Sequence, residues 1–141
     1  MSRTPQRAAP RHAPSIRIGC DVHPISEIAA SIELFGERYL SRVFTTVERE
    51  QTAGPMSLER LAGRFAAKEA VLKVLQVPSM ASVPWKSIEV RTGGNGVPYV
   101  VLSGSAQEMA ERQGISRVDI SLSHDGGVAM AVAAAIPASA A

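Results

Sequence analysis

The chain has 141 residues, 45% of them hydrophobic, a formal net charge of +2 and one cysteine. That length supports one core and no more, no apolar run approaches the roughly 18–20 residues that cross a bilayer, and a lone cysteine excludes an internal disulfide and fits a reducing, cytoplasmic compartment. Arg3, Arg7 and Arg11 sit in an acid-free start, so removing those three charges from +2 leaves −1 for the rest, and no basic stripe argues for nucleic acid.

Residues 1–15, with Pro5, Pro10 and Pro14 and no apolar period, read as a disordered basic tail rather than a secretory signal. Residues 16–137 read as one domain. "SIRIGCDV" alternates as a half-buried strand, with Ile16, Ile18, Cys20 and Val22 on one face and Arg17, Gly19 and Asp21 on the other. In that pattern Cys20 is a small core residue. Pro24 suits the first turn of a helix whose apolar period runs from Ile25 to Phe35 and stops at Gly36. A short helical piece follows over Glu37 to Arg42, and Thr45 with Glu48 has the spacing of a capping box that opens another.

Ser57 is placed to cap a long helix over about residues 58–76, which Pro78 ends. "WKSIEVRTGGNGVPYVVLSG" reads as a hairpin around a glycine-rich turn. Ser105 and Glu108 predict a second capping box, on a helix that Gly114 ends. "RVDISLSHDGGVAMAVAAAI" predicts a second hairpin, with Val118, Ile120 and Leu122 facing inward and "HDGG" turning. Helices mixed with antiparallel hairpins make the class α+β.

The chemistry concentrates in "GRFAAKEAVLKVL" on the long helix. Glu69 and Lys73 are four apart, and alone they are a surface ion pair worth about 0.3–0.5 kcal/mol. Arg64 and Lys68 form a second i,i+4 pair on the neighbouring stripe, about 100° round the axis. A carboxylate flanked by cations suits a polyphosphate with Mg²⁺, since phosphates need cations and Mg²⁺ needs carboxylate oxygens. Asp21 supplies a second carboxylate, beside Gly19, where backbone can approach closely. His124 lies at the last hairpin's turn, and Gly93, Gly94 and Gly96 precede Pro98, where main-chain N–H groups could meet an anion. Individually these are a strand-end aspartate, a solvated turn histidine and an ordinary glycine turn.

Together the segments resemble the holo-acyl-carrier-protein synthase family of 4′-phosphopantetheinyl transferases. "IGCDV" looks like that family's opening Gly-x-Asp strand, "RVFTTVE" its Phe-Thr-x-x-Glu segment, and "RLAGRFAAKEAVLKVL" its helix signature. "GVPYVVLSG" resembles its Gly-x-Pro strand and "SLSHDGGVAMAV" its Ser-x-Ser-His hairpin. The similarity runs from about Ile16 to Ile136 in the family's order.

The resemblance implies a fold with a long helix packed on antiparallel strands and hairpins, and a homotrimer with sites shared between adjacent protomers. It implies transfer of 4′-phosphopantetheine from coenzyme A to a serine of an acyl carrier protein, dependent on Mg²⁺, with release of 3′,5′-ADP. Asp21 and Glu69 fall on the metal carboxylates. Arg64, Lys68, Lys73, Gly96, Pro98 and His124 match positions near coenzyme A, and Glu69, Lys73 and His124 are the candidate catalytic groups. The base for the serine stays open between a metal-bound water and Glu69.

Two positions depart from the pattern. Glu27 stands where the family commonly has a carrier-docking arginine, which implies an atypical carrier or docking through Arg38 and Arg42. His23 stands where larger relatives have a second acid, which leaves water to complete the coordination. A relative that binds coenzyme A or a carrier without turnover is the alternative, and a structural subunit with a charged surface helix is the other.

Overall fold

Helix α4, Ser57–Val74, is the element on which the others pack. The computed structural model describes residues 15–78 and 82–139, so the predicted tail lies outside the described residues except for Ser15. In chain order, β1 (Arg17–Pro24) is followed by α1 (Ile25–Phe35), α2 (Glu37–Val43) and α3 (Thr46–Gln51). After α4 come a 3₁₀ turn (Trp85–Ser87), β2 (Ile88–Thr92), β3 (Pro98–Leu102), α5 (Gly104–Arg112), β4 (Ile115–Asp125) and β5 (Val128–Pro137). All pairings are antiparallel: one sheet has the order β1-β5-β4, and β2 and β3 form a separate hairpin. The α+β class expected from the sequence is thus the one observed.

The helix meets the larger sheet through small side chains. Ala66, Ala67 and Ala70 of α4 and Ala131, Ala133 and Ala135 of β5 are buried in one cluster. Alanine on both partners lets helix and strand approach closely, and Gly19 carries that approach onto β1. A Cβ on Gly19 would lie 2.7 Å from the Ala70 carbonyl oxygen and 3.2 Å from the Lys73 Cβ. A second cluster holds Ile28, Val43, Phe44, Leu61, Ala62 and Ala129, which seats α1 and α2 beside the first half of α4.

The sequence reading of β1 is reversed by the structure. Gly19 is buried and Asp21 and His23 are half-buried against the interior, whereas Ile18 is 73% and Val22 59% exposed. Ile16 and Cys20 are exposed as well, so Cys20 is not a core residue in this protomer. Alternation fixes only that two faces differ; the close helix selects the face with glycine, because an isoleucine there would collide with the helix backbone.

Local signals fare better. Thr45 and Glu48 form the reciprocal capping box. The last hairpin turns on Gly126 and Gly127, both at positive φ, as a two-residue turn of the primed kind requires. His124 and Asp125 are still paired strand residues, so the turn is tighter than "HDGG" suggested. Ser57 is the first helical residue of α4, with Met56 at the cap. Ser103 rather than Ser105 is the cap residue of α5, without a side-chain bond, and among the described residues no partner reaches the buried Ser105 Oγ.

Gly19→Ala should lower stability by about 1–3 kcal/mol, since the added methyl meets backbone rather than a movable side chain. Urea denaturation of native and variant measures it; an unchanged midpoint would mean that strand and helix can separate freely.

Candidate active site

The approach at Gly19 brings Asp21, two residues on along the same face of β1, to the C-terminal half of α4. Lys73 Nζ donates to Asp21 Oδ1 at 3.2 Å and to the Cys20 carbonyl oxygen at 2.8 Å. The Asp21 side chain is 16% exposed, and among the described residues no donor reaches its buried Oδ2. Glu69 lies one turn before Lys73 on α4. Burial first, and then the charge of Asp21, holds its carboxyl above the usual carboxylate range, while Lys73 and His23 pull it back down. Two partly desolvated carboxylates acting on each other, one with an oxygen lacking a donor, favour the arrival of a cation.

His23 extends the cluster along β1. Its Nε2 is 3.4 Å from a Glu27 carboxylate oxygen, and its ring packs 4.6 Å from that of Phe65. Phe65 in turn lies 5.1 Å from Trp85, centroid to centroid. These aromatics floor a cleft of about 460 Å³ lined also by Phe35, Arg38, Tyr39 and Arg42. The cleft therefore adjoins the carboxylates through His23 and Phe65. Sequence periodicity does not single out Phe65 or Trp85, because their neighbours in space lie on other elements.

Arg64 and Lys68 face the other way. Lys68 is fully buried, and its ammonium donates to Glu48 Oε1 at 2.8 Å and to the Ile88 and Trp85 carbonyl oxygens at 2.6 and 3.1 Å. All three of its protons are used, which corrects the expectation that Lys68 meets a phosphate. Burial lowers its pKa, with Glu48 opposing that shift. Glu48 also takes the Thr45 N–H at 3.0 Å and the Val90 N–H at 3.2 Å, so one carboxylate ties α3, α4 and β2 together. The capping box announced Glu48 as a cap; nothing local in the sequence announced its second bond to a lysine 20 residues away.

Arg64, 4% exposed, donates to the Val90 carbonyl oxygen at 3.2 Å and to Thr92 Oγ1 at 3.0 Å. It thus holds the β2–β3 hairpin and is not gathered with Asp21 and Glu69. Gly96 and Pro98 lie at the end of that hairpin, and the Gly96 N–H closes the loop on the Gly93 carbonyl oxygen at 2.9 Å. That N–H is engaged, so it does not offer itself to an anion as expected. His124 is exposed near the tip of β4 and lies opposite Ala129, which faces His23 from its other side. With strands about 4.8 Å apart, His124 is roughly 10 Å from His23 at the backbone. Asp21, Glu69, Lys73 and His23 thus come together where β1 meets α4, while His124 lies two strands across on the same face and Gly96 and Pro98 belong to the β2–β3 hairpin.

Hard-oxygen donors such as this pair suit Mg²⁺, which keeps several waters and asks for one or two carboxylates. Among the described residues no three His, Cys, Asp or Glu side chains are grouped so as to hold a metal ion.

A family model described as the 4′-phosphopantetheinyl transferase superfamily matches residues 17–133. The holo-acyl-carrier-protein synthase of Desulforudis audaxviator is 42% identical over 120 residues, 84% of this chain and 91% of that protein. That of Anaeromyxobacter dehalogenans is 44% identical over 112 residues, 79% and 85% of the two chains. The crystal structure of the Helicobacter pylori holo-acyl-carrier-protein synthase in complex with coenzyme A superposes with a TM-score of 0.73 at 29% identity, covering 83% of this chain and 97% of that one.

Lys68→Met should lower stability by about 3–5 kcal/mol, because it leaves Glu48 charged and unpaired in the interior. Adding Glu48→Gln should recover part of that loss, since the charge is gone and an amide oxygen can still accept. Denaturant midpoints of the two variants test this; losses that simply add would disprove the coupling.

Proposed function

Because the chain belongs to the 4′-phosphopantetheinyl transferase superfamily, matched over residues 17–133, we propose that it is a holo-acyl-carrier-protein synthase. It transfers 4′-phosphopantetheine from coenzyme A to a serine hydroxyl of an apo carrier protein and releases 3′,5′-ADP. The observation that carries this reading is the meeting of Asp21, Glu69 and Lys73 where β1 touches α4.

The serine must attack the β-phosphorus of a pyrophosphate while the departing 5′-phosphate gathers negative charge. Catalysis is then mostly positioning and charge stabilisation. Asp21 and Glu69 would hold Mg²⁺, which when bound supplies a Lewis acid that neutralises pyrophosphate oxygens. Lys73, with a side chain 54% exposed on a flexible stem, offers a mobile point charge to a phosphate oxygen. The base for the serine proton is a water on the cation or Glu69, and a carboxylate that already holds the cation is the poorer base of the two. Arg64 and Lys68 act indirectly, by fixing the hairpin and the rotation of α4.

The carrier docks on the cleft lined by Phe35, Arg38 and Arg42, where two cations border apolar surface next to the carboxylates. Arg49 draws the nearby Glu37 into a two-pronged pair at 2.7 and 3.0 Å and so leaves these arginines with less acidic competition. The assembly is a homotrimer. Its support is the apolar outer face of the sheet, where Ile16, Ile18, Val22 and Met130 are each 43% exposed or more. Neighbouring copies then bring His124 and the β2–β3 loop around Pro98 to the site, with Gly96 shaping that loop rather than donating its N–H.

In a transfer assay read by the mass added to a carrier, with coenzyme A and Mg²⁺ present, Asp21→Ala and Glu69→Ala should each lose about 10²-fold or more in rate while staying folded. Arg38→Glu and Arg42→Glu should raise the KM for the carrier and leave that for coenzyme A unchanged. Full turnover in either carboxylate variant would overturn the assignment, and unaltered carrier KM in both arginine variants would move the docking surface.

Ile18→Lys should separate the assembly. Light scattering after size-exclusion chromatography is expected to give a trimer for the native chain and a folded monomer with greatly reduced transfer for the variant. A native chain that runs as a monomer at assay concentrations and still turns over would end the shared-site reading.

A further inference from the structure

We propose that Lys73 and the divalent cation compete for Asp21, so that binding the cation releases the Lys73 ammonium toward the phosphates of the incoming substrate. This rests on the transfer reading above. The geometry points to it in three steps. First, Lys73 is bonded to Asp21 Oδ1 at 3.2 Å, the carboxylate that the reading assigns to the cation. Second, the partner is weakly held. Its side chain is 54% exposed against 16% for Asp21, and among the described residues its only other bond is to a main-chain carbonyl, that of Cys20. An ion pair this open contributes little and exchanges readily for water. Third, Asp21 Oδ2 has no donor among the described residues, so the carboxylate is incompletely satisfied by the lysine.

Charge decides the direction of the exchange. With Lys73 in place, Asp21, Glu69 and Lys73 sum to about −1 if both acids are ionised. A divalent cation on the same carboxylates repels an ammonium on Asp21, and the repulsion is strong where water is partly excluded. The lysine is the partner free to leave, because its stem is flexible and the carboxylate is packed between strand and helix. A released ammonium needs a new anion, and the pyrophosphate of coenzyme A is one. Cation and coenzyme A should therefore tighten each other's binding, with Lys73 as the link. Lys68, one turn earlier, could not do this, because its protons are all committed inside the core.

The test is titration with Mn²⁺, read by the loss of free-ion electron paramagnetic resonance signal, with and without coenzyme A, on native protein and on Lys73→Gln, Lys73→Arg and Asp21→Asn. Without coenzyme A, Lys73→Gln should bind Mn²⁺ about fivefold tighter or more, from the lost ion pair and the lost repulsion. Lys73→Arg, which keeps the charge, should stay near native. Coenzyme A should tighten Mn²⁺ binding to native protein more than to Lys73→Gln. If native protein binds Mn²⁺ in an Asp21-dependent way but Lys73→Gln binds it no tighter, the competition is disproved and the metal assignment survives. If native binding is not saturable, or persists in Asp21→Asn, both fail together.

Discussion

The closeness of α4 to the β1-β5-β4 sheet is the constraint on which the rest of the molecule depends. Alanines line both sides of that contact, and Gly19 leaves no room for a side chain against the Ala70 carbonyl. The packing does more than bury area. It sets which face of β1 turns inward, and that face carries Asp21 and His23. It also fixes the height of the strand along the helix, so that Asp21 meets Lys73 and acts on Glu69. Larger side chains would have buried more apolar surface at about 25 cal/mol per Å². They would also have held the two elements apart, and with them the acids.

The helix divides its charges between two tasks. Glu69 and Lys73 face the strand and remain partly wet. Arg64 and Lys68, about 100° round the axis, face the β2–β3 hairpin and are dry. The dry pair is the more demanding arrangement, since taking an ammonium and a carboxylate out of water costs several kcal/mol per ion before their attraction offsets it. What it yields is directional. Lys68 reaches two carbonyls of the segment leading into β2, and Glu48 reaches an amide of β2 and the cap of α3. An apolar pair could fill the same volume without fixing the rotation of α4. With Lys68 pinned, its neighbour Glu69 has little choice but to face Asp21.

How much of this was legible in the sequence depended on range. Signals spanning a turn or two were readable: the long helix, the Thr45–Glu48 box, the paired glycines of the last hairpin. The candidate acids were nominated at the same stage, because Asp21 and Glu69 belong to segments that resemble one family in their order. What failed depended on contacts across the chain. Alternation in "SIRIGCDV" showed two faces, and the usual preference for apolar inside chose the wrong one. Lys68 and Lys73 look alike in a string, and only the position of Glu48 and the hairpin carbonyls makes one of them structural. The Ser105–Glu108 spacing satisfied the capping rule, yet the chain reached helical geometry earlier, at Gly104.

The inverted strand then bears on assembly. An edge strand whose inward residues are glycine, aspartate and histidine has its large aliphatic side chains on the outside. Ile16, Ile18, Val22 and Met130 are all on that exposed surface, and Val132 and Ile136 lie half-buried along β5. Side chains of this size gain about 1.5–3 kcal/mol each when fully taken from water. Four of them, partly exposed already, offer several kcal/mol toward association, of the order of the entropy lost when molecules combine. Packing Gly19 against the helix therefore links two properties: Asp21 is brought to Lys73 and close enough to act on Glu69, and the aliphatic face of β1 turns outward.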